Sequence, residues 1–453
     1  MIIGIVGGGI GGLALAIALQ RHGIGSIVFE KDTSFNARSQ GYGLTMQQGG
    51  RAISALGLMS TMTKEGQTSS SHFIFNSQGQ IVLFWGTTSS ADASVWQPNR
   101  NCHISRQRLR NALLQELDPT LCQVLWGFEV SHFEQRGGRV VVFAGPDDAR
   151  SIYEMDGLVA CDGIRSGIRH RLRNEPLKFL GTFVILGIFE DGISPIFRER
   201  MVQMSDGLAR IFIMPYDAGR SMWQLSFPME LEAAVSLARS GAENLRLEAL
   251  RQCRSFHPPI PELLARTEAT LITGYPVYDR EPMATGLDGS SLVTLLGDAA
   301  HPMSPFKGQG ANQALIDAVD LAEAIARTSP EQLAQAFREY ERRMILRTTP
   351  KVLASRAAIS SLHCAAFVDS DCQLRRRGYP RVGEMAELLR SLSDRSMGIW
   401  SSAEDLAQAC SLQNKIMARG SVMRQPAVCE DDRVHEPEPK EDAANQKPRH
   451  NRV

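Results

Sequence analysis

Val6-Gly7-Gly8-Gly9-Ile10-Gly11-Gly12-Leu13 decides how the first part of this chain folds. The glycines stand between a β-branched run, Ile2 to Val6, and an alanine- and leucine-rich run, Leu13 to Leu19. The segment therefore reads as a buried strand, a tight turn and a helix. Gly7, Gly9 and Gly12 fit the spacing G-x-G-x-x-G. In that pattern the first glycine makes the turn, the second lets backbone approach a pyrophosphate, and the third lets helix pack on strand. An anion held there lies at a helix N-terminus, where unpaired N–H groups and the dipole favour negative charge. A second apolar run, Ile27-Val28-Phe29, ends in Glu30, about where the pattern places an acid for a ribose hydroxyl, and Lys31 beside it is a further candidate contact. The segment predicts dinucleotide binding without separating NAD from FAD. An apolar N-terminus can also be a secretory signal, but no Lys or Arg precedes this one and its glycines would break the helical core such a signal needs.

The rest of the chain bounds what this unit belongs to. At 453 residues, 43% of them apolar, it is long enough for two or three domains with a large core. Lys plus Arg and Asp plus Glu both number 49, so no global field invites nucleic acid or an acidic membrane. The eight cysteines contain no C-x-x-C pair, which argues against a zinc site and a disulfide framework and makes a reducing, cytoplasmic setting the expectation. No stretch of about 18 uninterrupted apolar residues exists, so no bilayer-spanning segment is expected.

The order of elements predicts two interleaved domains. His72 to Trp85, centred on Ser77-Gln78-Gly79-Gln80, reads as a hairpin. Leu109 to Leu117 has helical spacing, and Val140 to Phe143 reads as a strand. From Phe179 to Tyr275 the pattern is strand-rich, with Thr182 to Phe189, Leu208 to Met214 and Ser221 to Phe227 as strands and Asp217-Ala218-Gly219-Arg220 as a turn. Helices are expected from Asn312 to Arg327 and from Pro330 to about Leu346. From Gln425 the chain is charged, proline-bearing and poor in bulky apolar residues, so a disordered tail is expected.

A second long motif narrows the ligand. Strand Ser291 to Leu296 runs into Gly297-Asp298-Ala299-Ala300-His301-Pro302, then Met303-Ser304-Pro305-Phe306-Lys307-Gly308-Gln309-Gly310-Ala311-Asn312. An acid at a strand end can accept hydrogen bonds from a polyol, and glycines at a helix start can offer N–H groups to developing charge. This segment resembles the second FAD fingerprint of the class A flavoprotein monooxygenases, the para-hydroxybenzoate hydroxylase-like family. Val159-Ala160-Cys161-Asp162-Gly163-Ile164-Arg165-Ser166-Gly167-Ile168-Arg169 resembles the family's Asp-Gly element, Arg106-Gln107-Arg108-Leu109 its R-x-x-L, and Pro276 to Pro282 its crossing segment. The motifs stand in family order across roughly residues 1 to 350.

The resemblance implies an α/β fold in which a Rossmann-like FAD-binding domain (1–72, 100–175 and 276–350) is interleaved with a mixed-sheet substrate domain (73–99 and 176–275), followed by a helical region (351–424) and the tail (425–453). It implies that NADH or NADPH reduces the FAD and that a flavin C4a-hydroperoxide delivers one oxygen atom of O2 to an aromatic or polyketide-like small molecule. No second nucleotide motif is present, in keeping with transient donor binding in the family. By motif, Gly7, Gly9 and Gly12 admit the pyrophosphate, Glu30 binds ribose, Arg106 pairs with diphosphate, Arg38 stands near the phosphates, Asp162 and Gly163 hold the middle of FAD, and Gly297-Asp298 meets the ribitol. Pro305, Gly308, Gly310, Ala311 and Asn312 are expected beside the isoalloxazine, with no side chain assigned as a chemical catalyst. His301 is expected to shape its loop, Lys307 to order it, and Cys161 to be a small buried hydrophobe. Met214, Tyr216 and Trp223 read as core before they read as substrate contacts. Alternatives are a flavin dehydrogenase or halogenase, or a non-catalytic flavin-binding interaction protein. None of the five tryptophans lies in a Trp-x-Trp-x-Ile-Pro motif, which speaks against the halogenase.

Overall fold

The computed structural model describes residues 1–37, 42–47, 49–69, 71–86, 101–146, 151–197, 200–289 and 291–368. Arg38, all of 87–100, and the part of the predicted helical region and tail beyond residue 368 lie outside the described residues.

Ile2–Val6 and Gly25–Glu30 pair in parallel at the middle of a five-stranded sheet, in the order Val293–Leu295, Gly157–Ala160, Ile2–Val6, Gly25–Glu30, Cys122–Trp126. Every pairing is parallel, so crossovers must cover its faces with helices. Helix Ile10–Gln20 is buried along almost its whole length, which fits its uniformly apolar sequence, and it packs against helix Gly310–Ala326. A small antiparallel sheet, Val130–Arg136, Arg139–Ala144 and Ser151–Met155, lies beside it.

The other large sheet is mixed, with seven strands in the order Ile272–Asp279, Lys178–Glu190, Arg220–Pro228, Arg210–Asp217, Arg200–Ser205, Ser71–Asn76, Ile81–Gly86. The pair Arg200–Ser205 and Ser71–Asn76 is parallel and its other pairings are antiparallel. Side chains alternate across it. Phe183, Ile185, Ile211, Ile213, Trp223 and Leu225 form one core with three covering helices, whereas Val184, Leu186, Met201, Met214 and Met222 gather on the opposite face.

Those helices, Leu231–Arg239, Ala242–Gln252 and Ile260–Arg266, correct the reading of 179–275 as strand-rich. Their buried positions, such as Leu245 with Ala249 and Ile260 with Leu263 and Leu264, recur at helical spacing that the β-branched runs around them obscure. Strand Arg200–Ser205 was likewise not expected. The last described helix, Leu333–Leu362, continues well past Leu346 and through Pro350, across the expected boundary at 350. Pro350 removes one helical hydrogen bond, but the buried stripe Phe337, Tyr340, Met344, Thr348, Val352, Ser355 continues on both sides of it.

Candidate active site

The motif residues converge at the carboxyl ends of the parallel strands, where open α/β sheets place their ligands. Gly7 follows Ile2–Val6, Glu30 ends Gly25–Glu30, Asp162 follows Gly157–Ala160, and Gly297 follows Val293–Leu295. The three glycines are needed for three different reasons. Gly7 has φ +107°, and a Cβ there would stand 2.6 Å from the Cys161 carbonyl oxygen. A Cβ on Gly12 would stand 2.0 Å from the Gly7 oxygen, so helix and turn could not close. A Cβ on Gly9 would meet nothing within 4 Å. The space before Gly9 is left for something other than this chain.

Glu30 is buried, and its carboxylate braces the turn: Gly8 N–H donates to Oε2 (2.8 Å) and Asp32 N–H to Oε1 (2.9 Å). Arg110, which sequence reasoning missed, donates from Nε to the Gly8 carbonyl (2.7 Å) and places Nη2 3.7 Å from Glu30 Oε2. Its guanidinium lies over the rings of Phe35 (5.1 Å) and Trp126 (5.4 Å). The available signal was its place four residues after Arg106, on the same face of helix Arg106–Gln115. Lys31 is exposed just beyond the strand.

Asp162 accepts from Ile168 N–H (3.4 Å) through Oδ2, while its buried Oδ1 has no partner among the described residues. Burial pushes this carboxyl above the usual range, as expected of an acid awaiting a donor. Gly163 beside it has φ +82°. Arg169, the last residue of the Asp-Gly element and given no role of its own from sequence, is fully enclosed and donates to the carbonyls of Ala299 (3.1 Å) and Ala300 and to Glu175 Oε2 (2.5 Å). It ties the Asp162 loop to the Gly297 turn. Burial pushes the Cys161 thiol up, leaving it a small hydrophobe.

Gly297 has φ +63° and donates its N–H to Asp317 Oδ2 (2.9 Å). His301 Nε2 bonds the same oxygen (2.6 Å), and Arg347 Nη2 donates to Oδ1 (2.8 Å). Burial opposes the Asp317 charge, but His301 and Arg347 outweigh it and hold the carboxyl below the ordinary range. His301 is thus bound into the frame of its loop. Asp298 lies deep in the fold yet opens on a cavity, so solvent reaches it; burial pushes its carboxyl up, with Arg106 and His301 acting the other way.

That cavity, about 630 Å³, is where the remaining candidates meet. Arg106, which stands 5.8 Å from the Tyr42 ring, lines it together with Asp298, Pro305, Gly308, Gly310, Ala311 and Asn312. Gly310, Ala311 and Asn312 form the first turn of a helix, so their N–H groups have no intrahelical acceptor. The Asn312 side chain is saturated: Oδ1 accepts from Gln47 and Gly49 N–H (both 2.9 Å), and Nδ2 donates to the carbonyls of Thr45 (2.9 Å) and Gly308 (2.8 Å). It clamps two loops and leaves only its backbone for a ligand. Gly308 takes φ +62°, and Lys307 is exposed at the cavity wall. The opposite wall is the seven-stranded sheet, including Met201, Phe212, Met214 and Met222. Trp223 points away from it and donates to Thr267 Oγ1 (3.0 Å) within the helix-covered core, whereas Tyr216 is buried on the opposite face in the cluster with Met214 and Met222.

This arrangement fits a dinucleotide with its phosphates before Gly9 and a planar ring beside the Gly310 turn. An FAD-binding domain family model matches residues 1–222 and 277–344. The chain is 32% identical over 327 residues to an aurachin C monooxygenase/isomerase of Stigmatella aurantiaca, covering 71% of this chain and 80% of that one. It is 29% identical to the phenazine 1,6-dicarboxylic acid hydroxylase PhzS of Lysobacter antibioticus, with 79% and 95% covered. Its fold is like that of Klebsiella pneumoniae HpxO complexed with FAD and uric acid, with TM-score 0.69, 23% identity, and 91% and 97% of the two chains covered. The chain belongs to the class A FAD-dependent aromatic hydroxylase family. It is a flavoprotein monooxygenase with FAD as its cofactor. Among the described residues no helix is long and apolar enough to cross a membrane.

Proposed function

We propose that this enzyme uses NADH or NADPH and O2 to insert one oxygen atom into a planar aromatic small molecule held between the Gly310 turn and the seven-stranded sheet. The carrying observation is the single cavity lined by both the Asp298 and Gly310 motif and the apolar sheet face of Met201, Phe212, Met214 and Met222. The relatives' names point the same way, since urate and phenazine dicarboxylic acid are flat aromatics.

When bound, FAD supplies the redox chemistry, passing reducing equivalents from the nicotinamide to oxygen. The chain supplies position and shelter. Gly7, Gly9 and Gly12 leave room for the pyrophosphate, Glu30 receives ribose hydroxyls, and Arg106 neutralises diphosphate charge. Asp162 Oδ1 and Gly163 take the middle of the cofactor, and Asp298, next to Gly297, accepts from the ribitol. Pro305, Gly308, Gly310, Ala311 and Asn312 offer backbone to the ring, the N–H groups of Gly310, Ala311 and Asn312 favouring negative charge on it. Lys31 and Arg38 stand as outer contacts of the phosphate end. The methionine-rich wall keeps water from the reacting atoms. A division into a cofactor part (1–72, 100–175, 276–350) and a substrate part (73–99, 176–275) is part of this reading, and cysteine usage supports a cytoplasmic setting.

The test is a screen of aromatic compounds for stimulated NAD(P)H oxidation, with oxygen uptake, hydrogen peroxide and product mass followed together. One added oxygen atom in the product supports the reading. Turnover that continues unchanged without oxygen overturns it in favour of a dehydrogenase.

A further inference from the structure

We propose that Arg210 forms a carboxylate subsite on the sheet wall of the cavity, so that the substrate is a planar aromatic acid; this rests on the monooxygenase reading above. Arg210 opens strand Arg210–Asp217, lines the cavity and is only 5% exposed. Arg210, Phe212 and Met214 alternate onto the cavity face, while Ile211 and Ile213 enter the helix-covered core. Among the described residues no Asp or Glu pairs with this guanidinium. Its Nε donates to Gln203 Oε1 (2.5 Å), its plane lies 5.3 Å from the Phe212 ring centre, and its buried Nη1 has no partner.

The neighbouring titratable groups do not supply the missing charge. Because Gln203 Oε1 accepts from Arg210, its amide nitrogen faces His72 and donates to Nε2 (2.6 Å), which makes that nitrogen an acceptor on a neutral ring. Burial, then Arg210 and His103, lower His72 to about 3; burial lowers His103 to about 4; burial chiefly, with Arg210, lowers His363. Two neutral imidazoles, His72 and His363, therefore neighbour this one cation. Burial lowers Arg210 itself to about 9, still charged at neutral pH.

An enclosed guanidinium without a counter-ion is costly unless an anion arrives. Its planar fork matches a carboxylate, and Gln203 holds it in one orientation. Phe212 and the sulfur atoms of Met201, Met214 and Met222 offer a flat, polarisable bed, which selects an aromatic ring behind that carboxylate.

The test uses the FAD-loaded enzyme and matched pairs of aromatic acid and primary amide, from benzoate and benzamide to the anthracene pair, with binding followed through the flavin absorbance. The expected result is an acid favoured over its amide by at least about tenfold in one or more pairs. Arg210→Gln should bring that ratio to about one with flavin content retained, and Arg210→Lys should keep part of the preference. No pair favouring the acid in the wild type, or an undiminished preference in Arg210→Gln, overturns the subsite. If Arg210→Gln does not fold, the wild-type ratio and its fall in Arg210→Lys decide. Loss of the monooxygenase reading would show instead as absent oxygen insertion with the binding ratio intact.

Discussion

Gly9 and Gly12 differ by three positions and by the whole reason for being glycine. Gly12 faces the Gly7 oxygen at a distance no side chain tolerates, whereas Gly9 has an extended backbone and empty space before it. Gly12→Val should destabilise the protein by more than about 3 kcal/mol, read from urea unfolding. Gly9→Val should leave the apoprotein within about 1 kcal/mol of the wild type while abolishing flavin binding, read from the ratio of flavin to protein absorbance. Equal flavin content in wild type and Gly9→Val would remove Gly9 from the phosphate site. Arg110, which the motifs did not include, and Arg169, which closes the Asp-Gly element, are both enclosed arginines bound to backbone carbonyls of motif loops. Local spacing does not reveal what they bind, because their partners are 102 and 130 residues away.

At the scale of elements, helix Gly310–Ala326 carries both the ligand-facing turn and the anchor that holds it. Asp317, on that helix, gathers Gly297 N–H, His301 and Arg347 from two other segments. Its carboxyl sits below its ordinary value, so its stabilisation is present above that value and lost as pH falls through the lower folded one. Asp317→Ala should accordingly cost about 3–5 kcal/mol at neutral pH, since it strands Arg347 and the Gly297 amide. Asn312→Ala frees the loops at Thr45, Gln47, Gly49 and Gly308; the expected reading is a weakened flavin affinity that dialysis against flavin-free buffer exposes. Unchanged retention would show that those loops hold without the clamp. The three helices over the seven-stranded sheet show the limit of local pattern: each is short, and its apolar positions gain meaning only against Phe183, Trp223 and Phe227 beneath.

For the whole molecule, two observables follow. Removing FAD should lower stability by about 4 kcal/mol relative to protein in cofactor at a thousandfold excess over its dissociation constant, seen as a reduced melting temperature that added FAD restores. Buried neutral histidines set an acid limit. His72 and His103 fall to about 3 and about 4 in the folded state against about 6.5 in an unfolded chain, so the unfolded state binds the extra protons. Stability should therefore be complete above about pH 6.5 and decline below it, each histidine contributing up to about tenfold per pH unit in the folding equilibrium. His103→Gln should flatten that decline in urea midpoints measured between about pH 7 and 5, and an equally steep decline would assign the effect elsewhere.

The sequence by itself determined the parallel cofactor sheet, the glycine turn, the strands carrying Asp162 and Asp298, and the FAD-binding monooxygenase family, because phosphate recognition demands glycines at fixed local spacing before a helix. Only the tertiary structure decided that His301 is tied to Asp317, that the Asn312 side chain is fully occupied, and that Trp223 turns away from the cavity while Met214 enters it. It also decided that Arg210 is enclosed without an acidic partner among the described residues. The physical reason is range. A phosphate cradle is written in a dozen consecutive residues, whereas the charge balance of a cavity wall is a sum over strands and helices that meet only after folding.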